Sequence, residues 1–173
     1  KQSTVSPKSQ AIYDEVKGRL LAVANRESRQ QVNQYVWPPA INLDASPEFG
    51  AYATRFRQRS DGSLEAAMQN QKFLPYITIT QGAMSDLIEN DADRLAFVMG
   101  HEIAHVMLGH VLPTSLVEKV PQTTLKMIFS AEQEHEADLL GMKLALAADY
   151  SISGARNVWY RINSEEFLRK YPG

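Results

Sequence analysis

The feature that most constrains this chain is the fourteen-residue run 95–108, which reads LAFVMGHEIAHVML. Every position in it is apolar or glycine except His101, Glu102 and His105, so the run predicts a helix that is buried on nearly all of its faces. Unpaired ionisable groups are costly to bury, and a divalent cation is the partner that satisfies all three groups at once. The run therefore predicts a metal site within a buried helix.

The spacing of these groups agrees with metal binding. Residues four apart share one helix face, so His101 and His105 can both direct a ring nitrogen to one ion. Glu102 lies about 100° further round the helix, where it can reach a water bound to the ion but not the ion itself. With four His and twelve Glu in 173 residues, chance gives about 0.006 H-E-x-x-H matches. A hydrogen-bonded His pair and a purely structural metal remain as alternatives.

The composition excludes several classes of protein and several kinds of metal site. The chain has no cysteine, which excludes disulfide scaffolds and thiolate zinc clusters and leaves a metal to His and carboxylates. The net charge is -2 with no basic block, so we expect no nucleic-acid partner. No stretch approaches eighteen apolar residues, so none is predicted to span a bilayer. The opening residue, Lys1, and the polar run after it predict a processed N-terminus, and membrane association through removed residues stays open.

A catalytic zinc needs a third protein ligand, and the residues just after the motif do not supply one. The metzincin pattern would place Gly at 108 and His at 111, where this chain has Leu108 and Val111. His110 lies about 140° from His105 round the helix. We therefore interpret His110 as an exposed histidine at the helix end, away from the metal face.

A better source of the third ligand is the acidic run 132–138. Glu134 and Asp138 are four apart on one helix face, and like charges so placed repel unless a cation or a His lies between them and that face. We predict Glu134 as the third ligand and Asp138 as the acceptor that fixes a ligand His through its other ring nitrogen. Glu132 and Glu136 are predicted to be solvated, and His135 to lie at the surface or the pocket rim.

The remaining sequence predicts an α+β fold, mainly helical, with a small sheet. We expect a polar tail over 1–10 and a single domain over 11–173. Expected elements are a helix over 11–36, extended segments over 41–54, a loop or hairpin over 55–70, a strand over 73–80, and helices over 92–112, 123–148 and 153–170. Asn90 or Asp91 is expected to cap the second helix. Pro75 favours an edge position for the strand.

Four stretches carry a family resemblance. They are 100–106 (GHEIAHV) followed by 134–138 (EHEAD), 51–54 (AYAT) and 74–84 (LPYITITQGAM). They resemble the gluzincin metallopeptidases of the HtpX and CaaX prenyl endopeptidase type over about 37–159, and the soluble periplasmic BepA-like or LoiP-like branch in particular. The insertion at 55–70 departs from the usual short Gly-rich turn, and the flanking transmembrane helices of the membrane branch are not found.

This resemblance implies a zincin-like metallopeptidase domain with one Zn²⁺ per chain. The ion would be held by His101, His105 and Glu134, with Glu102 as the general base. Zinc in such a site lowers the pKa of its bound water towards 7 and polarises the scissile carbonyl.

Substrate contacts are predicted from two further regions. The supposed edge strand could pair with an extended peptide through Tyr76, Ile77, Thr78, Ile79 and Thr80. Candidates for an oxyanion stabiliser come from the region after the third ligand and are Tyr150, Arg156 and Tyr160.

Together these features predict a zinc metalloendopeptidase that hydrolyses peptide bonds of unfolded or misassembled proteins. Its partners would be proteins or peptides. A bacterial periplasmic or cell-envelope location and a role in quality control follow from the resemblance alone. The alternative is a zinc-stabilised chaperone or adaptor whose peptidase activity is latent or lost. Hydrolysis of phospholipids or of other amides at the same site is a third hypothesis.

Overall fold

The computed structural model describes residues 4–27, 35–111 and 129–172. Helices and strands are both present, as predicted, and a long N-terminal helix precedes the strands while the other helices follow them. In chain order the elements are α1 (Pro7–Glu27), β1 (Ala40–Asp44), β2 (Ala51–Thr54), β3 (Phe56–Gln58), β4 (Leu64–Ala66), β5 (Met68–Gln69), β6 (Lys72–Phe73), β7 (Tyr76–Thr80), α2 (Gln81–Ala83), a π-helical turn (Met84–Ile88), α3 (Ala92–Met107), α4 (Ala131–Ala147), α5 (Ser153–Ile162) and α6 (Glu165–Lys170).

Helix α1 begins four residues before its predicted start. The Ser6 hydroxyl accepts a hydrogen bond from the Ser9 backbone N–H in its first turn, and the Ser9 side chain is fully buried. Residues 7–10 therefore belong to the folded domain and not to a polar tail. The predicted end at 36 is also wrong, because Tyr35 forms a β-bridge with Phe73. Residues 28–34 of the prediction lie outside the described residues.

The main sheet has three strands in the order β1-β7-β2. Strand β7 pairs with β1 in parallel and with β2 antiparallel, so it is the central strand and the predicted edge position is wrong. Pro75 precedes the first residue of β7, where the ladder needs no N–H, and its carbonyl accepts a hydrogen bond from Ala40. Strand β7 therefore cannot pair with a substrate, because its two neighbours already use its edges. This correction applies to all five predicted residues, Tyr76, Ile77, Thr78, Ile79 and Thr80.

The insertion at 55–70 contains the predicted hairpin. Strands β3 and β4 pair antiparallel across a turn in which the Asp61 carboxylate accepts from the Ser63 backbone N–H. Strands β5 and β6 then form a second, shorter hairpin. The polar composition of this region reflects its exposure, with Glu65 bridging Arg57 and Arg59.

Helix α3 is the buried helix that the apolar run predicts. Asp91 is its N-cap and accepts from the Arg94 backbone N–H, which confirms one of the two predicted caps. The helix ends at Met107, five residues before the predicted end, because Gly109 adopts a left-handed conformation with φ 75°. The backbone N–H groups of Gly109 and His110 donate back to Val106 and His105, which closes the helix in a Schellman motif.

Helix α4 carries the acidic run and packs across α3. It begins in a capping box formed by Ser130 and Gln133. The predicted start at 123 lies outside the described residues. The two helix backbones approach each other closely where Gly100 of α3 meets Gly141 of α4, since a Cβ on Gly141 would lie 2.6 Å from the backbone nitrogen of His101. This close crossing brings the preceding turns of α4 against the face of α3 that carries His101 and His105.

We expect Gly141→Ala to separate the two helices and to weaken metal binding. The added methyl group would also lie 2.8 Å from the Cα of His101, and backbone atoms cannot turn aside as a side chain can. Overpacking of this kind costs about 1–3 kcal/mol of stability. The measurement is the thermal midpoint together with zinc affinity. Gly18→Ala is the matched control, because a Cβ at Gly18 of α1 meets nothing within 4 Å and should be neutral or stabilising.

The C-terminal region forms two helices where one was predicted over 153–170. Helix α5 ends at Ile162, and Ser164 caps α6 by accepting from the Phe167 backbone N–H. Serine at this position favours a new helix start over continuation, because its hydroxyl satisfies an N–H that the broken helix leaves unpaired. Among the described helices, none combines the length and the apolar character needed to cross a membrane.

Candidate metal centre

The three predicted ligands come together where α3 and α4 cross. The Nε2 atoms of His101 and His105 are 3.1 Å apart. Oε2 of Glu134 lies 3.1 Å from Nε2 of His101, and Oε1 of the same carboxylate lies 3.5 Å from Nε2 of His105. Both rings thus direct the same nitrogen, Nε2, to the same small volume beside one carboxylate.

These distances fit a tetrahedral metal ion. Ligand atoms about 2.1 Å from a tetrahedral zinc are separated from one another by about 3.4 Å. The two Nε2 atoms are 3.1 Å apart and the nearest Glu134 oxygens lie 3.1 Å from one and 3.5 Å from the other, which is close to that value. Two neutral nitrogens and one carboxylate oxygen are also the donor set of known catalytic zinc sites, which keep the fourth position open. The residues therefore form a triad able to hold one metal ion.

The electrostatics of the cluster favour a positive charge between these groups. Burial opposes protonation of His101, but hydrogen bonds with Asp138 and Glu134 outweigh it and raise the pKa of His101 to about 10. Burial and the neighbouring charge of His101 lower the pKa of His105 to about 3. The hydrogen bond with His101 lowers the pKa of Glu134, so its carboxylate stays ionised. A cation bound at this position would therefore face the ionised carboxylate of Glu134.

Asp138 occupies the place predicted for it. Its Oδ1 lies 2.8 Å from Nδ1 of His101 and accepts the proton of that nitrogen. This fixes the orientation of the ring with Nε2 facing the cluster, where a bound metal ion would take the place of the proton that the raised pKa of His101 keeps on that nitrogen. Glu134 and Asp138 act from successive turns of α4, as their spacing of four indicates.

Glu102 lies at two cavities that both border the triad. It is 6% exposed and lines both cavities together with His101 and Glu134. One cavity, of about 350 Å³, is also lined by Ala51 and Tyr52 of the edge strand β2. Glu102 is thus placed where a reacting group next to the triad would be within reach, although it is not one of the three clustered donors.

The second cavity, of about 400 Å³, is mainly apolar. Its walls come from the loop before β2, from β2 itself, and from the π-helical turn, α3, α4 and α5. The apolar lining residues are Phe49, Ala51, Leu87, Phe97, Val98, Val158, Trp159 and Ile162. This cavity can take a large apolar group whose polar end faces the triad.

His110 is the site residue that the sequence reasoning missed. It is 7% exposed and not at the surface, and its Nδ1 lies 2.9 Å from Nδ1 of His105. The prediction of an exposed helix end is wrong because α3 stops at Met107 and the chain reverses through Gly109, which returns His110 to the helix. Gly109 was the signal in the sequence, since glycine is the usual residue at the reversal of a Schellman motif.

The three candidate oxyanion stabilisers lie elsewhere. Tyr150 packs beneath the guanidinium of Arg19 on α1, 4.3 Å from ring centroid to Cζ. Arg156 lines a separate cavity on α5 beside Ile152. Tyr160 is 70% exposed and, like the other two, lines neither cavity at the triad. The side chains of α5 that line the apolar cavity are Val158, Trp159 and Ile162, so an oxyanion role for Tyr150, Arg156 or Tyr160 gains no support from the cavity linings and stays a prediction.

The remaining acidic and histidine residues of α4 are exposed, as predicted. Glu132 and His135 face solvent. Glu136 is exposed too, but its Oε2 lies 3.5 Å from Nε2 of His110. Glu136 therefore contacts the cluster indirectly, through His110.

Comparison with known proteins adds one finding. The family model described as "Peptidase family M48" matches residues 26–128. The match includes His101, Glu102 and His105 and ends before Glu134, so the inclusion of Glu134 in the cluster rests on the geometry alone. No curated protein matches the chain.

Proposed function

The chain belongs to peptidase family M48, and we propose that it is a zinc-dependent metalloendopeptidase with one zinc ion per chain. The observation that carries the proposal is the convergence of His101, His105 and Glu134 at separations of 3.1 to 3.5 Å, with a buried Glu102 beside them. The family supports the class of enzyme, and the geometry supports a metal site with Glu102 beside it.

Each residue has a defined task in this proposal. His101, His105 and Glu134 hold the ion, and Asp138 keeps His101 in the required tautomer. A zinc ion held there supplies a Lewis acid that polarises the scissile carbonyl and brings the pKa of water towards 7. Glu102 accepts a proton from the attacking water and donates it to the leaving amine, which restores the carboxylate for the next cycle.

An edge strand is available to pair with the backbone of an extended substrate. Strand β2 is an edge of the main sheet, and Ala51 and Tyr52 line the cavity that also contains Glu102 and Glu134. An extended peptide that adds to this edge runs beside the triad, and its main-chain hydrogen bonds make recognition tolerant of sequence. We therefore assign to β2 the pairing that the sequence suggested for β7.

The apolar cavity indicates what kind of substrate side chain lies next to the cleaved bond. A volume of about 400 Å³ lined by aromatic and aliphatic groups accommodates a bulky apolar side chain. Folded proteins bury such side chains and hold their backbones in secondary structure, whereas an unfolded chain exposes both. Both features favour unfolded or misassembled proteins as substrates. Action in the bacterial periplasm or cell envelope stays a prediction that rests on the resemblance alone.

The test is zinc content and proteolysis measured on one preparation. We expect about one zinc per chain, cleavage of unfolded casein, loss of that cleavage on removal of zinc with a chelator, and its return when zinc is restored. Glu132→Gln, on the exposed face of α4, is the control and should behave as wild type. A chain that binds zinc and casein but never cleaves it would instead support the zinc-stabilised chaperone or adaptor.

A further inference from the structure

The two proposed histidine ligands, His101 and His105, contact different kinds of residue through their Nδ1 atoms. Nδ1 of His101 faces a carboxylate, whereas Nδ1 of His105 faces the Nδ1 of another histidine, His110, at 2.9 Å. On its far side, His110 directs Nε2 towards Oε2 of Glu136 at 3.5 Å. A line of contacts thus runs from the triad through His105 and His110 to an acidic group at the surface.

The fold holds this arrangement in place. The Schellman reversal at Gly109 fixes the backbone of His110, whose N–H donates to the carbonyl of His105 at 3.0 Å. Phe129 stacks on the ring of His105 with centroids 3.9 Å apart and planes 16° from parallel. His105 is only 1% exposed, so water does not replace a lost partner at its Nδ1 without a rearrangement of this packing.

The contact between two Nδ1 atoms determines the tautomers once a metal is bound. A metal-binding His105 keeps the lone pair of Nε2 for the ion and therefore carries its proton on Nδ1. His110 must then accept at Nδ1 and carry its own proton on Nε2, which is the nitrogen that faces Glu136. The reverse arrangement would leave a proton between His105 and the ion.

We propose that His110 is a positioning residue that holds His105 in the tautomer and orientation required for zinc binding. The proposal rests on the proposed zinc site and concerns the partner of a ligand, not the ligand itself. A neutral imidazole here does for His105 what Asp138 does for His101. Partners of this kind set metal affinity by about 10 to 100-fold.

The first test measures zinc affinity by chelator competition. His110→Phe keeps a ring but removes the acceptor, and should weaken zinc binding by about 10 to 100-fold, as should Asp138→Asn. His110→Asn places its side-chain oxygen near the position of Nδ1 and should recover most of the loss. His135→Phe removes an exposed histidine from α4 and should leave zinc affinity unchanged.

The second test reads the tautomers directly in the wild-type chain loaded with zinc. The protein has four histidines, so long-range ¹H–¹⁵N correlation spectra distinguish their ring nitrogens. We expect a proton on Nδ1 of His105 and on Nε2 of His110. A folded His110→Phe with wild-type zinc affinity, or a proton on Nδ1 of His110 in the zinc-loaded protein, overturns the proposal. A wild-type chain that binds no zinc overturns the proposed function as well, which distinguishes the two failures.

Discussion

Replacement of Glu102 by glutamine is expected to reduce peptide cleavage by about 10² to 10⁴-fold while zinc stays bound. The amide has nearly the shape of the carboxylate but cannot accept the proton of the attacking water. The ligand atoms are supplied by His101, His105 and Glu134, so the change should leave the triad intact. The measurement is cleavage of unfolded casein, zinc stoichiometry and thermal midpoint on the same preparation.

The same variant distinguishes an enzyme from a binding protein. A zinc-stabilised chaperone or adaptor predicts no change in client binding and none in residual cleavage. Wild-type cleavage by a zinc-loaded Glu102→Gln protein would exclude the general-base assignment. Loss of zinc from this variant would instead show that Glu102 supports the triad structurally. This alternative has to be tested because Glu102 is only 6% exposed. Glu132→Gln controls for the loss of one negative charge.

The part of the site that lies on one helix could be predicted from the sequence. The spacing of His101 and His105 sets which side chains share a face, and helix geometry alone determines that. The pair Glu134 and Asp138 could be chosen for the same reason, because two carboxylates on one face need a positive partner. The structure brings these four side chains together, with contacts of 2.8 to 3.5 Å between them.

The features that the sequence did not predict correctly depend on contacts between distant segments or on the backbone conformation of a single residue. Pro75 was compatible with an edge strand and with the start of a central one, and only the pairing of β1 and β2 with β7 decides between them. The crossing at Gly100 and Gly141 joins positions 41 apart in the chain, which no local pattern links. His110 was misplaced because helical periodicity was extended through Gly109, where the helix had already ended.

Glu134→Ala is expected to remove most of the zinc. This loss should exceed the loss caused by substitution of a residue that only contacts a ligand, such as Asp138 or His110. The change leaves two histidine nitrogens for an ion that takes three protein ligands in catalytic sites. Changes in the partners of ligands cost about 10 to 100-fold in affinity, so removal of a ligand should cost more than about 100-fold. It also removes the one carboxylate among the three clustered donors, whose two oxygens lie 3.1 and 3.5 Å from the histidine nitrogens.

Three further variants make this result specific to position 134. Glu134→Gln keeps the shape and one oxygen donor but not the charge, so its zinc affinity should fall between that of wild type and that of Glu134→Ala. Glu132→Ala lies on the exposed side of the same helix turn and should keep full zinc. Glu136→Ala removes an acid that faces His110 and not the triad, so it should keep the metal with at most a modest loss of affinity. Full zinc in Glu134→Ala together with loss in Glu132→Ala or Glu136→Ala would mean that α4 presents a different face to α3, and the assignment of the third ligand would then be wrong.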